Sequence, residues 1–408
     1  MGSTASRHHP PPPPAPVVRF QKQLAEIEME LEKQKEVRSL YKMKLERTQD
    51  YLRHCLQVAQ DNGFLDLIIG NKSKQQESLL SSPATIISNG MINNPQINNP
   101  PVHDHSDLAA LVEQAKMQGW YIQPNEIKLQ EKVGEGTTAE IYKGRWRGFD
   151  VAVKCIFPDL FISNDNMIGF FAQEVETLAR QRHPFVLQLM GACLGPPNHG
   201  WIVTEFLNTT LKIWIHGPGS RRKERRVPLP SLKDRLKKAL EISQAMQYLH
   251  EHKPMIIHRD LKPSNIFLDD DLHVKVADFG HARYLIDGEK ALTGETGTYV
   301  YMAPEVIKSA PYDEKSDVYS FGIILNELIT GEHPYIETEY GPSKIALEVA
   351  NNGLRPALPK HDDNNEKLEE IIQLIQHSWD EDSAIRPPFS TITSCLRNFL
   401  NKLQQDIL

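Results

Sequence analysis

The chain has 408 residues, of which 40% are hydrophobic and 24% are charged, so it is long enough to bury at least one sizeable core. Its net charge of −7 gives no support to nucleic-acid binding, and its four cysteines are too widely spaced to suggest disulfide pairing or metal ligation. The sequence shows neither a secretory leader nor an apolar run of roughly 18 residues, about the least that a transmembrane helix needs. These features predict a cytoplasmic protein, with a peripheral membrane or nuclear fraction left open.

Residues 1–17 are predicted to be a disordered, proline-rich start. They begin with Met1-Gly2-Ser3-Thr4-Ala5-Ser6, a short pattern that fits myristoylation of Gly2 but is easily met by chance. One myristoyl chain gives only marginal membrane binding, and no nearby cysteine or basic cluster adds a second anchor. The alternative is an unmodified start, and the proline run at 10–14 is either a stiff spacer or a ligand for an aromatic groove.

Residues 18–61 are predicted to form one long helix, because they contain neither proline nor glycine and are rich in Glu, Lys, Gln and Leu. Alternating steps of four and three residues place mostly apolar side chains on one seam, among them Leu24, Ile27, Leu31 and Leu45. Such a seam favours a parallel coiled-coil homodimer. The alternatives are a helix that folds back on the rest of the chain and a helix that binds a different protein.

The next stretch, residues 62–105, is predicted to be a disordered linker, because it is rich in Asn, Ser, Pro and Gln and cannot bury enough apolar surface. Leu108–Gln118 is predicted to be a short helix that leads into the following domain. Further along, Gly217–Pro230 contains a basic run that is predicted to be a solvated insertion, with a nuclear-import or acidic-partner patch as the alternative.

A glycine-rich turn follows the first predicted strand of that domain. In Val133-Gly134-Glu135-Gly136-Thr137-Thr138-Ala139-Glu140-Ile141, the glycines let backbone amides approach phosphate groups closely. The next apolar strand, Val151-Ala152-Val153-Lys154, carries a lysine that is costly to bury without a partner. Glu174, within the amphipathic stretch 170–178, is the best candidate for that partner.

The most informative stretch is His258-Arg259-Asp260-Leu261-Lys262-Pro263-Ser264-Asn265, which Asp278-Phe279-Gly280 follows after a hairpin's length of chain. It offers a carboxylate that can orient an attacking hydroxyl and a lysine that can offset phosphate charge. Asn265 and Asp278 add oxygen ligands for a divalent metal. Phosphoryl transfer needs this set, because its catalysis consists mostly of positioning and charge neutralisation.

Three further motifs follow in order: Ala303-Pro304-Glu305, then Asp317 at the start of a strongly apolar helix, then Arg386. Together, these motifs resemble those of protein kinases over residues 127–400, in wording most similar to the tyrosine-kinase-like group and its plant Raf-like Ser/Thr members. The resemblance implies an α+β fold of two lobes, preceded by the long N-terminal helix. It also implies an ion pair between Arg386 and Glu305.

The resemblance further implies that ATP and Mg²⁺ bind between a small lobe, which has a five-stranded antiparallel sheet and one helix, and a helical lobe that begins near Asn208. The implied catalytic residues are Asp260, Lys262, Lys154 and Glu174, and the implied metal ligands are Asn265 and Asp278. The implied nucleotide-binding residues lie in the glycine-rich turn, on the strands and at the hinge: Val133, Gly134, Glu135, Gly136, Thr137, Thr138, Ala139, Glu140, Ile141, Ala152, Lys154, Thr204, Glu205, Leu207 and Phe267.

Two positions bear on the substrate. Lys262, two residues after Asp260, and Thr298 are what the resemblance associates with Ser/Thr rather than Tyr substrates, and dual specificity stays open. The resemblance makes the chain from Asp278 to Glu305 an activation segment. Arg259 would pair with a phosphate on this segment, for which Thr293 and Thr296 are candidate sites.

Two departures from the family pattern keep a second hypothesis open. Ala139 replaces the third glycine of the turn, and Phe267 replaces a smaller aliphatic residue beneath the adenine. The alternative to an active enzyme is therefore a nucleotide-binding scaffold that assembles partners through its coiled coil. The complete catalytic set favours an enzyme that phosphorylates protein substrates in a signalling cascade.

Overall fold

The computed structural model describes most of the C-terminal three quarters of the chain. The described ranges are 105–136, 138–163, 167–219, 227–285, 298–359 and 368–405, together with helical positions at 23–24, 27–32, 34–35, 38 and 41–42. The predictions for Gly2, the proline run, the linker, the basic run at 221–226, Thr137, Thr293 and Thr296 concern positions outside these ranges.

The smaller lobe is built on a five-stranded antiparallel sheet, as predicted. Its strands are β1 Ile127–Glu135, β2 Ala139–Trp146, β3 Phe149–Ile156, β4 Leu189–Gly195 and β5 His199–Glu205, in the spatial order β1-β2-β3-β5-β4. Val151 and Val153 point into a small buried cluster on one face of β3. Because side chains alternate along a strand, Ala152 and Lys154 point to the opposite face.

Helices pack against part of that opposite face of the sheet. They are α1 His105–Gln118, α2 Pro158–Ser163 and α3 Met167–Arg180. Along α3, Phe171, Val175 and Leu178 are buried at helical spacing, and Glu174 lies on the same side. This spacing seats α3 against the sheet and turns Glu174 inward.

The segment before β1 belongs to this lobe as well. The predicted short helix is present as α1, and its Leu111 and Ala115 join the core that contains α3. The chain then passes so close to β4 that a Cβ atom on Gly191 would lie 2.5 Å from the Trp120 carbonyl oxygen and the Ile122 side chain. A domain boundary drawn at residue 127 therefore omits residues that pack into the core.

The larger lobe is mainly helical. Its helices are α4 Leu211–His216, α5 Leu232–Glu251, α6 Pro304–Ile307, α7 Lys315–Thr330, α8 Pro342–Asn352, α9 Glu369–Ser378 and α10 Phe389–Gln405. Helix α7 is buried on all sides, which is typical of a central core helix, and α5 packs against α10. Arg386 is buried and makes the expected paired contact with Glu305, at 2.6 and 2.9 Å.

Short strands bring two loops to the boundary between the lobes. A three-stranded sheet has the order β6 Thr209–Thr210, β8 Ile266–Leu268 and β9 Val274–Val276, and β7 Met255–Ile257 pairs with β10 Arg283–Leu285. Loop 258–265 follows β7 and loop 277–282 follows β9, and the two loops lie next to each other. The two-lobed α+β fold expected from the sequence is confirmed. Among the described residues, no helix is both long enough and apolar enough to cross a membrane.

Candidate active site

Lys154 and Glu174 form the part of the site that the smaller lobe provides. Lys154 Nζ lies 2.6 Å from Glu174 Oε1, and the two side chains are 23% and 8% exposed. Lys154 Nζ also lies 3.4 Å from Asp278 Oδ1. The predicted partner of Lys154 is thus in contact with it. A charged pair this far buried depends on both members, since removing one typically costs about 3–5 kcal/mol.

The charges at this point are set by the balance of burial and pairing. Burial by itself would lower the pKa of Lys154, but Glu174 and Asp278 raise it overall. Burial would raise the pKa of Asp278, but Lys154 and neighbouring cations lower it overall. For Glu174, burial outweighs the lysine and raises the pKa. Lys154 and Asp278 are therefore both charged at neutral pH, which suits a site for phosphate and metal.

The larger lobe contributes Asp260, whose carboxylate is held by its own loop. Its Oδ2 atom accepts hydrogen bonds from Lys262 Nζ at 2.7 Å and from Asn265 Nδ2 at 2.9 Å. Its Oδ1 atom makes only a long contact, 3.4 Å, with Thr298 Oγ1 among the described residues. One carboxylate oxygen is thus fixed while the other stays available to accept the proton of an incoming hydroxyl.

Asp317, at the start of α7, holds the loop 258–265 in place through hydrogen bonds to its backbone. The buried carboxylate accepts hydrogen bonds from the backbone amides of His258, at 2.8 Å, and Arg259, at 2.9 Å. His250 Nε2 lies 2.9 Å from the same carboxylate. Arg259 has a φ of 70°, a left-handed conformation that is costly for a residue other than glycine, so these hydrogen bonds hold a strained turn. In the sequence, Asp317 is recognisable only as the start of a helix. Its hydrogen bonds go to backbone amides, and every residue type other than proline has such an amide, so no sequence motif marks them.

Asn265 and Asp278 offer oxygen atoms of the kind that Mg²⁺ prefers. The Asn265 side-chain nitrogen is turned toward Asp260, which leaves its side-chain oxygen for a ligand. The chain holds the two residues near each other through the 2.9 Å hydrogen bond from the Ala277 amide to the Asn265 carbonyl. The donor set therefore fits a hard divalent cation. Gly280 leaves room beside it, since a Cβ there would lie 3.3 Å from Glu174 Oε2.

Two of the candidate nucleotide-binding residues lie on the sheet face that carries Lys154. Ala152 pairs with Thr204 across β3 and β5, so both lie on that face. In the glycine-rich turn, Gly136 donates a 2.8 Å hydrogen bond to the Ala139 carbonyl, and Glu135 pairs with Glu140. Ile141 pairs with both Gly134 and Lys154, so it lies on the same face. Val133 precedes Gly134 on β1, Thr138 directly precedes β2, Glu205 ends β5, and Leu207 follows it.

Phe267 lies on β8, in the larger lobe. Its neighbours on β8, Ile266 and Leu268, are buried in the core of that lobe. Alternation along the strand turns Phe267 to the other side, where it is half-buried. That Phe267 lies beneath the base of a nucleotide stays a prediction.

Thr298 and Arg259 connect the activation segment to the site. Lys262 Nζ donates a 2.8 Å hydrogen bond to Thr298 Oγ1. Arg259 donates to the His281 carbonyl at 3.2 Å, while its buried Nε has no hydrogen-bond partner among the described residues. This N–H is a donor that a phosphate oxygen could accept from, and the pairing of Arg259 with a phosphate stays a prediction.

Comparison with known proteins shows which family the chain resembles. The family model described as "Protein kinase domain" matches residues 127–398. The chain is 38% identical over 288 residues to the serine/threonine-protein kinase STY17 of Arabidopsis thaliana, covering 70% of this chain and 47% of the relative. It is 40% identical over 290 residues to STY46 of the same plant, covering 70% and 46%. The dual specificity protein kinase splA of Dictyostelium discoideum is 36% identical over 286 residues, covering 66% and 11%. The chain thus spans less than half the length of these relatives.

Proposed function

The chain belongs to the protein kinase family, and from that membership we propose that it transfers the γ-phosphate of ATP to serine and threonine hydroxyls of proteins. The observation that carries the proposal is the state of the Asp260 carboxylate. Lys262 and Asn265 hold one of its oxygens, at 2.7 and 2.9 Å, and the other is available to a substrate hydroxyl.

In the proposed mechanism, Asp260 orients the attacking hydroxyl and accepts its proton. Lys262 and Lys154 offset the charge that develops on the transferred phosphoryl group, and Glu174 holds Lys154 in place. Asn265 and Asp278 would hold Mg²⁺, which supplies charge neutralisation when bound. The short distances within each group support these roles, because positioning supplies most of the rate in phosphoryl transfer.

We assign the nucleotide to the cleft between Phe267 and the sheet face that carries Ala152 and Lys154. The backbone of the glycine-rich turn would cover the phosphates, and the chain from Glu205 to Leu207 would contact the adenine edge. The facing positions of Ala152 and Thr204 on paired strands support this placement.

A preference for Ser and Thr rests on Thr298, which stands 2.8 Å from Lys262 Nζ and 3.4 Å from Asp260 Oδ1. The names of the Arabidopsis relatives agree with that preference, and the Dictyostelium relative keeps dual specificity as the second candidate. The geometry of the described residues does not favour a scaffold without turnover, since the proposed catalytic side chains are paired, Lys154 with Glu174 and Lys262 with Asp260.

We also propose that residues 18–61 join two copies of the chain. The described seam positions Leu24, Ile27 and Leu31 are helical, and their apolar side chains are exposed in the single chain. A partner helix would cover them. The mass of the full chain in solution tests this. A dimer that Leu24→Glu and Leu31→Glu dissociate, while Met29→Glu on a different helix face does not, is the expected result; a monomeric wild type would contradict it.

The proposed compartment is the cytoplasm. Cys155, Cys193 and Cys395 are free thiols in the structure, which supports this proposal because the cytosol keeps thiols reduced.

The activity is tested with the full chain, labelled ATP, Mg²⁺ and a general protein substrate, followed by phosphoamino-acid analysis. Labelled phosphoserine and phosphothreonine from the wild type, with none from Asp260→Asn, are expected. Labelled phosphotyrosine in addition would establish dual specificity. A wild type that binds ATP without transferring phosphate would contradict the proposal and favour the scaffold.

A further inference from the structure

A cluster of charged side chains lies beside the glycine-rich turn. Lys132 Nζ lies 2.6 Å from Glu135 Oε2 on the same strand, β1, and 2.7 Å from Glu140 Oε1 on β2. Tyr142 donates a 2.8 Å hydrogen bond to the other carboxylate oxygen of Glu140. One ammonium group thus joins the strand that enters the turn to the strand that leaves it.

The two carboxylates of this cluster would repel each other without the lysine. Glu135 and Glu140 are directly paired on β1 and β2, and like charges in that arrangement destabilise a sheet. Contacts with both carboxylates raise the pKa of Lys132, and the contact with Lys132 lowers the pKa of Glu140. Lys132 and Glu140 are therefore both charged at neutral pH, and the lysine offsets a repulsion that the pairing of the strands creates.

The backbone holds the two ends of the turn unequally. The end that begins β2 is fixed by the 3.0 Å hydrogen bond from the Phe157 amide to the Thr138 carbonyl and by the pairing of β2 with β3. The end that follows β1 belongs to an edge strand, whose register with β2 is irregular between Lys132 and Gly134. The bridge from Lys132 to Glu140 therefore reinforces the sheet where its backbone pairing is irregular.

The cluster acts from behind the turn. Along β2, Glu140 alternates with Ile141, which pairs with Lys154, so the Glu140 side chain points to the opposite face of the sheet. The Lys132 and Glu140 side chains are 38% and 31% exposed. A single ion pair at such a surface contributes little to stability, but a network of several charges contributes more.

We propose that Lys132 is a positioning residue for the nucleotide. Its bridge between Glu135 and Glu140 holds the β1 side of the turn where the backbone would cover the phosphates. The role of Lys132 in nucleotide binding rests on the proposed function, whereas the bridge is a property of the turn itself.

The bridge is tested without nucleotide, by amide hydrogen exchange of the full chain. Peptides that cover residues 133–141 should exchange faster in Lys132→Met than in the wild type, because the turn opens more often. Lys132→Arg keeps a cation that can contact both carboxylates and should exchange as the wild type does. The matched control is Lys128→Met, at an exposed position of β1, which should leave the exchange unchanged. Equal exchange in Lys132→Met and the wild type would overturn the proposal.

The consequence for the nucleotide is measured as the Kd for ATP with Mg²⁺, by titration calorimetry of the full chain. Lys132→Met should weaken binding about three- to tenfold, the scale of a small network of surface charges. Lys132→Arg and Lys128→Met should stay within about twofold of the wild type. An unchanged Kd for Lys132→Met would remove Lys132 from nucleotide binding.

A double-mutant cycle with Glu140→Gln separates the bridge from a simple attraction between Lys132 and the phosphates. If Lys132 acts through the bridge, Glu140→Gln should strengthen ATP binding in Lys132→Met, where it removes the repulsion with Glu135, but not in the wild type. Equal strengthening in both backgrounds would mean that the charges act only on the phosphates, and the proposal would be wrong. A wild type that binds no ATP would overturn the proposed function and the nucleotide role of Lys132 together, while the exchange measurement shows separately whether the bridge holds the turn.

Discussion

The two halves of the candidate active site are built in different ways. In the larger lobe, Asp260 and the residues that hold it lie within one loop, Asp260–Asn265. In the smaller lobe, Lys154 and Glu174 are 20 residues apart on β3 and α3 and meet only because the helix packs on the sheet. The first half is encoded in a continuous stretch of sequence and fixed to the central helix α7. The second depends on where α3 sits, so changes in packing should disturb it more readily.

The largest expected effect is at the centre of the first half. Asp260→Asn removes the acceptor of the hydroxyl proton, so phosphate transfer should fall about 10²–10⁴-fold, the usual contribution of a general base. Initial rates of transfer to a protein substrate check this. Asp271→Asn, an exposed aspartate in the turn after β8, is the matched control and should keep the wild-type rate. A rate for Asp260→Asn within tenfold of wild type would remove Asp260 from the mechanism.

Breaking the Lys154–Glu174 ion pair of the smaller lobe should lower phosphate transfer nearly as much. Glu174→Gln removes the main partner of Lys154 and leaves only the 3.4 Å contact with Asp278. Transfer should drop by about 10²-fold, which corresponds to the lower part of the cost of breaking a buried pair. ATP affinity should fall with it, as measured by titration calorimetry. On the same helix, Glu176→Gln breaks only a surface pair with Arg180 and should change neither quantity.

The position of α3, on which the Lys154–Glu174 pair depends, can be tested with a substitution in α1, which precedes the residues 127–398 that match the family model. Leu111→Ala on α1 opens the contact with the α3 core and should lower the free energy of unfolding by about 2–3 kcal/mol. Thermal and chemical unfolding of the full chain measure it. Met117→Ala, at an exposed position of the same helix, should change stability little. Equal stability of Leu111→Ala and wild type would show that α1 is not part of the lobe.

A substitution of Thr298, which contacts Lys262 in the larger lobe, should lower phosphate transfer by less. Thr298→Val removes the hydroxyl that accepts from Lys262 at 2.8 Å, and transfer should fall about tenfold, as expected for one charge-assisted hydrogen bond. Thr298→Ser keeps the hydroxyl and should restore most of the rate. If the valine variant keeps the wild-type rate, the hydrogen bond does not matter; if the serine variant is as slow as the valine variant, the methyl group is needed as well as the hydroxyl.

The smallest effect is expected at Phe267, which only borders the proposed nucleotide cleft. Phe267→Leu keeps an apolar surface there and should change the KM for ATP less than about threefold, within the range of a volume-conserving substitution. Phe149→Leu, at an exposed position of β3, is the control. A change of tenfold or more at Phe267 alone would mean that this residue shapes the pocket.

The same contrast explains which features the sequence reveals. The loop 258–265, Asp278 and the Arg386–Glu305 pair follow from short motifs in a fixed order. The role of Asp317 was missed, because it acts through backbone amides of another segment. The packing of α1 was missed because Leu111 and Ala115 lie in a stretch whose partners are distant in the chain.

The contact between the His216 imidazole and the buried Glu327 carboxylate is another example of such a limit. His216 and Glu327 are 111 residues apart, and no motif joins them. Only the tertiary fold brings the end of α4 and the end of α7 together. Sequence patterns thus reveal chemistry that one loop contains, and the structure reveals chemistry that the fold assembles.

The most direct test of the account is the ATP affinity of full-length Asp260→Asn, measured beside its rate of phosphate transfer. If the two halves have separate tasks, the Kd for ATP should stay within about threefold of wild type while transfer falls at least 10²-fold. Loss of ATP binding together with transfer would contradict that division, as would transfer that survives the substitution.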